Sequence, residues 1–283
     1  MDFNKKLELI KRNTVEVITE EELKKLLEKK KKPVVYCGYE PSGSVHLGHF
    51  VTLSKLMDFE KAGFKTKILL ADVHALLNRK GSEKEIKNEI QAWKKTIKAI
   101  GLKSEIVLGS DFQFRKEYQE DVMLLAQHAT INRGIRAMQE VARDIENATI
   151  SQLWYPLMQV VDIKFLKVDI ALGGMEQRKI HMFGKDSHNL LKHDFIVVHT
   201  PLITSLKGDG KMSKSIPGSS IFLTDSNDEI KNTIKNSYCP ERQIENNPIM
   251  QISKLLIFPR IKEMKIQRDK KFGGEIRARN YEE

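Results

Sequence analysis

Val34-Val35-Tyr36-Cys37-Gly38-Tyr39-Glu40-Pro41-Ser42-Gly43-Ser44-Val45-His46-Leu47-Gly48-His49 decides how this chain is read. The apolar run at 34–36 predicts a buried strand. A Pro/Ser/Gly turn follows, and a helix then opens with two histidines three residues apart. That spacing sets both imidazoles on one face of the first helical turn. The unpaired N–H groups and positive dipole end of such a turn already favour an anion. Two imidazole donors added there make a phosphate site that needs no P-loop lysine. A P-loop reading fails on identity: His49 and Phe50 stand where Lys and Ser/Thr belong, and Gly210-Lys211 is followed by Met212.

Far downstream, Gly208-Asp209-Gly210-Lys211-Met212-Ser213-Lys214-Ser215 holds an unbroken Lys-Met-Ser-Lys-Ser between glycines, with Gly218 beyond. The glycines predict a loop able to move, and its two lysines could close over a triphosphate. His-x-Gly-His after a strand and Lys-Met-Ser-Lys-Ser are the two signatures of class I aminoacyl-tRNA synthetases, in that order and about one synthetase domain apart. Either alone carries a false-positive risk; a bare Lys-Met-Ser-Lys-Ser could be a solvated basic loop.

A third pair of stretches narrows the resemblance. Tyr155-Pro156-Leu157-Met158-Gln159-Val160-Val161-Asp162-Ile163 and Asp169-Ile170-Ala171-Leu172-Gly173-Gly174-Met175-Glu176-Gln177-Arg178-Lys179-Ile180-His181-Met182 resemble tyrosyl-tRNA synthetases of the archaeal and eukaryotic type. Gly38-Tyr39-Glu40-Pro41-Ser42-Gly43 does so too. Tryptophanyl enzymes usually lack the glutamate before that proline. The resemblance runs to the last residue. It implies an α/β fold with a Rossmann-like parallel sheet, a helical insertion at about 112–152 and a smaller C-terminal helical domain. The implied division is a catalytic domain at 1–207, the lysine loop at 208–219 and a tRNA- and anticodon-binding domain at 220–283.

The same resemblance implies the site. Tyr36 and Asp162 would meet the phenol hydroxyl of L-tyrosine, with Tyr155, Gln159 and Gln177 holding the α-amino group and the ring, and Gly38, Glu40 and His74 completing the pocket. Pro41, Ser42, Gly43, His46, Gly48, His49, Gly173, Gly174, Lys211, Met212, Ser213, Lys214 and Ser215 would bind ATP, with His46, His49, Lys211 and Lys214 catalytic. Arg136, Arg178 and Phe272 would serve the tRNA. Mg²⁺ would accompany ATP, held mostly by its phosphates, and no all-protein metal site is visible. The implied partners are L-tyrosine, ATP, tRNA(Tyr) and a second copy of the chain. Family members continue beyond Lys271-Phe272-Gly273-Gly274 and Asn280-Tyr281-Glu282-Glu283, so some anticodon contacts would be missing.

The pocket is chemically coherent by itself. A phenol hydroxyl donates and accepts at once, so an aspartate and a tyrosine together can satisfy it. Phenylalanine would leave both buried and unpaired, at about 1–3 kcal/mol per group. The competing reading makes Asp162 a backbone cap and Tyr36 plain core. Arg136 and Arg178 could equally pair with neighbouring carboxylates, and Phe272 could be core.

Composition agrees without deciding. The chain has 283 residues, 40% of them hydrophobic, and a formal net charge of +10, with a pI near 9.3. That suits a polyanionic partner. Cys37 and Cys239 are too few for a zinc or disulfide framework. The start shows no secretory pattern and no run reaches membrane-spanning length, so the expected setting is cytoplasmic, away from membranes.

Apolar runs at 34–36, 68–71, 106–108, 168–172 and 195–198 alternate with helical patterns. The clearest helix is 82–101: Ser82 and Glu85 form a capping box, Ile86, Ile90, Trp93, Ile97 and Ile100 make its stripe, and Gly101 ends it. Continuous apolar strands joined by helices predict a parallel sheet covered on both faces. In such sheets ligands bind beyond the carboxyl ends of the strands, where 40–49, Asp72, His74, 109–113 and 173–177 all fall. The insertion's apolar residues at 117–148 could pack on the core or on a second copy. Helices are expected at 225–236 and 248–258. The segment 260–279 carries eight Lys/Arg against three Asp/Glu.

Three other readings stay open: a tryptophanyl enzyme, a small nucleotidyl transferase with the same histidine motif, and an RNA-binding relative without catalysis.

Overall fold

The structure, a computed structural model, describes residues 1–141, 145–214 and 216–283. Its chain forms two compact units, Met1–Ser44 with Lys55–Pro201, and Val45–Ser54 with Leu202–Glu283. This partition differs from a cut at residue 207, because the segment Val45–Ser54 clusters with the C-terminal part.

The first unit is built on six strands: β1 (Glu16–Ile18), β2 (Val34–Tyr39), β3 (Lys65–Leu70), β4 (Glu105–Leu108), β5 (Ile170–Gly174) and β6 (Ile196–Thr200). They lie in the order β1-β6-β5-β2-β3-β4. All neighbours are parallel except β1, which pairs antiparallel with β6. The five parallel strands have the Rossmann order, with the switch point between β2 and β5. The sequence explains why: every residue of β5 and β6 is buried, which strands covered on both faces require. All five expected strands are present. The edge strand β1 was not foreseen, since three residues carry too little pattern to read.

The helix Glu83–Ala99 starts at the Ser82/Glu85 capping box and buries Ile86, Ile90, Trp93 and Ile97. It stops where Gly101 takes φ +81°, a conformation that costs glycine nothing. The helix Ile150–Phe165 matters most for function. Residues 155, 159 and 162 recur at spacings of four and three, so Tyr155, Gln159 and Asp162 share one face. In the insertion, helices Lys116–His128 and Ile131–Met138 send Val122, Leu125, Ala137 and Met138 into the main core. Core packing therefore accounts for most of its apolar residues. Ile131 remains 70% exposed.

In the second unit, Val45 and Leu47 exchange backbone hydrogen bonds with Leu223 and Ile221. Val51 packs with Ile203, Leu206, Met212, Ile221, Leu255 and Leu256. Helices run over Asn227–Lys235 and Pro248–Ile252, the latter continuing as a π-helical turn, Ser253–Ile257. The basic segment forms no α-helix: β7 (Met264–Ile266) and β8 (Ile276–Ala278) form an antiparallel hairpin there, with one 3-10 turn at Lys270–Phe272 between them. Strands of three residues gave no period to detect.

Candidate active site

β2 supplies Tyr36 from within the strand, and the last turn of the helix Ile150–Phe165 supplies Asp162, both buried. Gln113 Nε2 donates to Asp162 Oδ1 at 2.8 Å, and the Tyr118 hydroxyl donates to the same oxygen at 2.9 Å. Oδ2 has no hydrogen-bond partner among the described residues. Burial pushes the Asp162 carboxyl up to about 7, against the pull of those two hydrogen bonds. His74 Nε2 lies 3.7 Å from Oδ2, but burial holds that imidazole near 4. With this histidine neutral, the contact is not an ion pair, and 3.7 Å exceeds a hydrogen bond.

The tyrosines around Asp162 stay protonated. Burial, then the Asp162 charge, pushes the Tyr36 phenol well up, with a hydrogen bond to Gln159 acting the other way. Burial and Glu40 do the same to Tyr155, whose ring meets His74 edge-on at 4.5 Å. Glu40 in turn accepts from Asn78 Nδ2 at 2.9 Å and has Lys80 at 3.6 Å. Gln159 Nε2 donates to Gln177 Oε1 at 3.0 Å. Gly38, in β2, is exposed.

Gly173 and Gly174 end β5. A Cβ on Gly173 would stand 2.9 Å from Gln177 Cβ and 3.0 Å from His181 Cε1, so the protein's own packing already demands glycine there. The carbonyl of Gly43 accepts from Trp93 Nε1 at 2.9 Å, which fixes the turn after β2. Pro41 is buried in that turn and Ser42 half-buried.

In the second unit His46 precedes, and His49 sits within, the first turn of the helix Leu47–Lys61. Their ring centroids are 3.8 Å apart. Burial, then the Lys214 charge, depresses His46 to about 4. Burial, His46 and Lys214 hold His49 well below its ordinary value. Both are therefore neutral at pH 7. The Gly48 N–H donates to His46 Nδ1 at 3.1 Å, and the His46 N–H donates to His49 Nδ1 at 3.3 Å. With Nδ1 accepting, each ring carries its proton on Nε2. These are neutral, preset donors. A Cβ on Gly48 would lie 2.8 Å from His46 Cε1, so glycine allows the imidazole to fold back.

The lysine loop is pinned at its base. Met212 N donates to the Ile203 carbonyl at 2.8 Å and Ser205 N to the Gly210 carbonyl at 3.0 Å. The Ser219 hydroxyl donates to the Ser213 carbonyl. Met212 is buried in the unit's core, so its side chain anchors the loop. Lys211 is exposed and Lys214 half-buried. Ser215 lies outside the described residues.

A family model for tRNA synthetases class I (W and Y) matches residues 28–283. The chain belongs to this family. It is 46% identical to the tyrosine–tRNA ligase of Methanopyrus kandleri over 287 residues, covering 100% of this chain and 88% of that one. The crystal structure of tyrosyl-tRNA synthetase complexed with L-tyrosine from Archaeoglobus fulgidus superposes with a TM-score of 0.96 at 45% identity, covering 99% of this chain and 89% of that one. A tryptophanyl-tRNA synthetase from Aeropyrum pernix shares the fold at a TM-score of 0.72 and 21% identity, over 84% of this chain and 71% of that one.

Within the family frame, three residues were expected to serve tRNA. Arg178 Nε donates to Glu16 Oε1 at 2.8 Å, so the carboxylate-pairing alternative is realised for it. Arg136 is exposed. Phe272 is 64% exposed with Lys271 Nζ 4.9 Å from its ring centre, which removes the core alternative. Reading the sequence missed Tyr118 and Asn78 as partners of the pocket. Gln113 was placed at the ligand edge after β4, as its position there suggests, but without a role. Tyr118 lies in the insertion, and no local pattern marks it.

Proposed function

We propose that this chain activates L-tyrosine with ATP, giving tyrosyl-adenylate and pyrophosphate, and then transfers tyrosine to the 3′ end of tRNA(Tyr). The observation that carries this reading is buried Asp162, whose Oδ2 has no hydrogen-bond partner among the described residues and whose charge acts on the buried Tyr36 phenol, in a chain that matches a tyrosine–tRNA ligase over its whole length. The orphaned oxygen is what a phenol hydroxyl satisfies and a phenylalanine ring does not.

In the first step the tyrosine carboxylate attacks the α-phosphorus in line. In the second the terminal ribose hydroxyl of tRNA attacks the activated carbonyl. No protein nucleophile takes part, and catalysis is positioning plus charge stabilisation. Tyr36 and Asp162 read the hydroxyl. Tyr155, Gln159 and Gln177 orient the amine and the ring, while Gly38, Glu40 and His74 shape the rest. His46 and His49 donate from Nε2 to phosphate oxygens as charge builds. Lys211 and Lys214 neutralise the β- and γ-phosphates. Pro41, Ser42, Gly43, Gly48, Gly173, Gly174, Ser213, Ser215 and the Met212 backbone line the nucleotide.

Mg²⁺ would accompany ATP, held mostly by its phosphates. No group of three His, Cys, Asp or Glu side chains among the described residues could hold a metal. Arg136, Arg178, Phe272 and the basic hairpin serve the tRNA. Exposed Ile131 and Ile150, at 70% and 82%, support pairing with a second copy. No described helix is long and apolar enough to cross a membrane; the setting proposed for this role is the cytoplasm.

The test is ATP–pyrophosphate exchange dependent on tyrosine, then charging of a tRNA(Tyr) transcript. Exchange with tyrosine and not with tryptophan or phenylalanine supports the reading. Exchange with tryptophan alone, or none, overturns it.

A further inference from the structure

Behind the turn at 173–177, Arg178, assigned above to the tRNA, heads a hydrogen-bonded chain whose other three members, Glu16, His199 and His181, have no part in the reaction just described. Arg178 Nε donates to Glu16 Oε1 at 2.8 Å. The same oxygen stands 2.7 Å from His199 Nδ1. His199 Nε2 stands 2.9 Å from His181 Nδ1, and the two rings lie within 15° of parallel. Both imidazoles are buried. The members come from separate elements: β1, β6 and the helix Arg178–Asp186. At its far end the His181 ring abuts Gly173, whose added Cβ would meet Cε1 at 3.0 Å.

The charges order the protons. Burial raises the Glu16 carboxyl, but hydrogen bonds from His199 and Arg178 outweigh it and keep the group below its ordinary value. As a carboxylate Glu16 only accepts, so His199 Nδ1 carries a proton. Burial, ahead of the opposing pull of Glu16, lowers His199, which leaves Nε2 bare. His181, depressed by burial and by His199, must then donate from Nδ1. Each ring is confined to one tautomer by the group behind it.

We propose that Glu16, His199 and His181 form a positioning relay that locks His181 in one tautomer and orientation against Gly173, and so sets the turn presenting Gln177 to the amino group of tyrosine. β1 gains a purpose in this arrangement. It stands outside the parallel repeat and delivers one carboxylate to the buried pair. The part assigned to Gln177 rests on the tyrosine-activating reading above; the tautomer order does not.

The test uses the full chain with His199→Leu, His199→Gln and Glu16→Ala. Leucine removes both hydrogen bonds. Glutamine keeps one donor and one acceptor. Alanine at the half-buried Glu16 removes the ordering charge with little disturbance of the core. In tyrosine-dependent exchange, His199→Leu and Glu16→Ala should raise KM for tyrosine by about tenfold, the worth of one buried hydrogen bond, with kcat little changed. His199→Gln should bring KM back toward the parent. Nitrogen-15 NMR of the histidine side chains should show His181 and His199 protonated at Nδ1 in the parent, and His181 mixed between tautomers in Glu16→Ala. An unchanged KM in Leu and Ala variants that still fold, no rescue by Gln, or mixed tautomers in the parent would each overturn the relay. Absence of tyrosine-dependent exchange in the parent would overturn the proposed function instead, and the NMR result would still decide the tautomer order.

Discussion

The Tyr118 hydroxyl lies 2.9 Å from Asp162 Oδ1 and 2.8 Å from the Met158 carbonyl, so its one proton is shared between a catalytic-pocket acid and the backbone of the same helix. This contact and the one from Gln113 turn Oδ1 away from the pocket's free chemistry. They leave Oδ2 without a hydrogen-bond partner among the described residues, the oxygen proposed above to accept from a phenol. They also favour the ionised form, against the burial that has raised the acid to about 7.

Tyr118→Phe removes one of those stabilising hydrogen bonds, so the Asp162 carboxyl should rise further. If the ionised form binds the phenol, kcat/KM for tyrosine in pyrophosphate exchange rises with pH through about 7 in the parent. The midpoint should move to higher pH in the variant. The stability contribution has the opposite sign. A carboxyl raised in the folded state contributes fully below its unfolded value and loses that contribution as pH rises through about 7. Melting temperatures should therefore fall more steeply on the alkaline side in Tyr118→Phe. Superimposable pH profiles would remove Tyr118 from the site.

His46→Ala and His49→Ala should each lower the rate of adenylate formation by ~10²-fold or more, the usual cost of one preset donor. Tyrosine affinity, measured by calorimetry, should stay close to the parent. Gly48→Ala should share the rate loss, because its Cβ would collide with the His46 ring at 2.8 Å. Normal rates in folded variants would leave the pair a purely structural stack.

Asp162→Ala combined with Tyr36→Leu removes both polar readers and adds space. The double variant should lose preference for tyrosine over phenylalanine, by about 1–3 kcal/mol for each group no longer left unpaired, and should accept para-substituted phenylalanines. Exchange assays with each amino acid decide it; a selectivity as strong as the parent's would mean that the phenol is read elsewhere.

Phe272 is exposed, as a ring that stacks on an unpaired base must be. Base stacking of this kind is worth about 1–3 kcal/mol. Phe272→Ala should weaken tRNA binding and slow charging at low tRNA concentration, with pyrophosphate exchange unaffected. Equal loss in both reactions would assign the ring to folding, and no loss would remove it from tRNA recognition.

Some of this molecule is written locally in its sequence. The strands of the parallel sheet show because strands covered on both faces need unbroken apolar runs, as at β5 and β6. The helix Glu83–Ala99 shows because its cap, stripe and glycine stop are all near neighbours in the chain. The candidate site shows in outline because its loops follow strand ends, where such sheets bind ligands. Other features depend on residues far apart meeting in space, and no spacing encodes that. Tyr118 reaches Asp162 across 44 positions and His199 reaches Glu16 across 183. The edge strand β1 and the hairpin of β7 and β8 are three residues per strand, too short to carry a period, and exist through their pairing partners. The sequence by itself determined the sheet, the motif loops and the identity of the chemical groups. Tertiary structure decided how each group is used, because protonation state, tautomer and orientation are set by burial and by partners that only folding brings within reach.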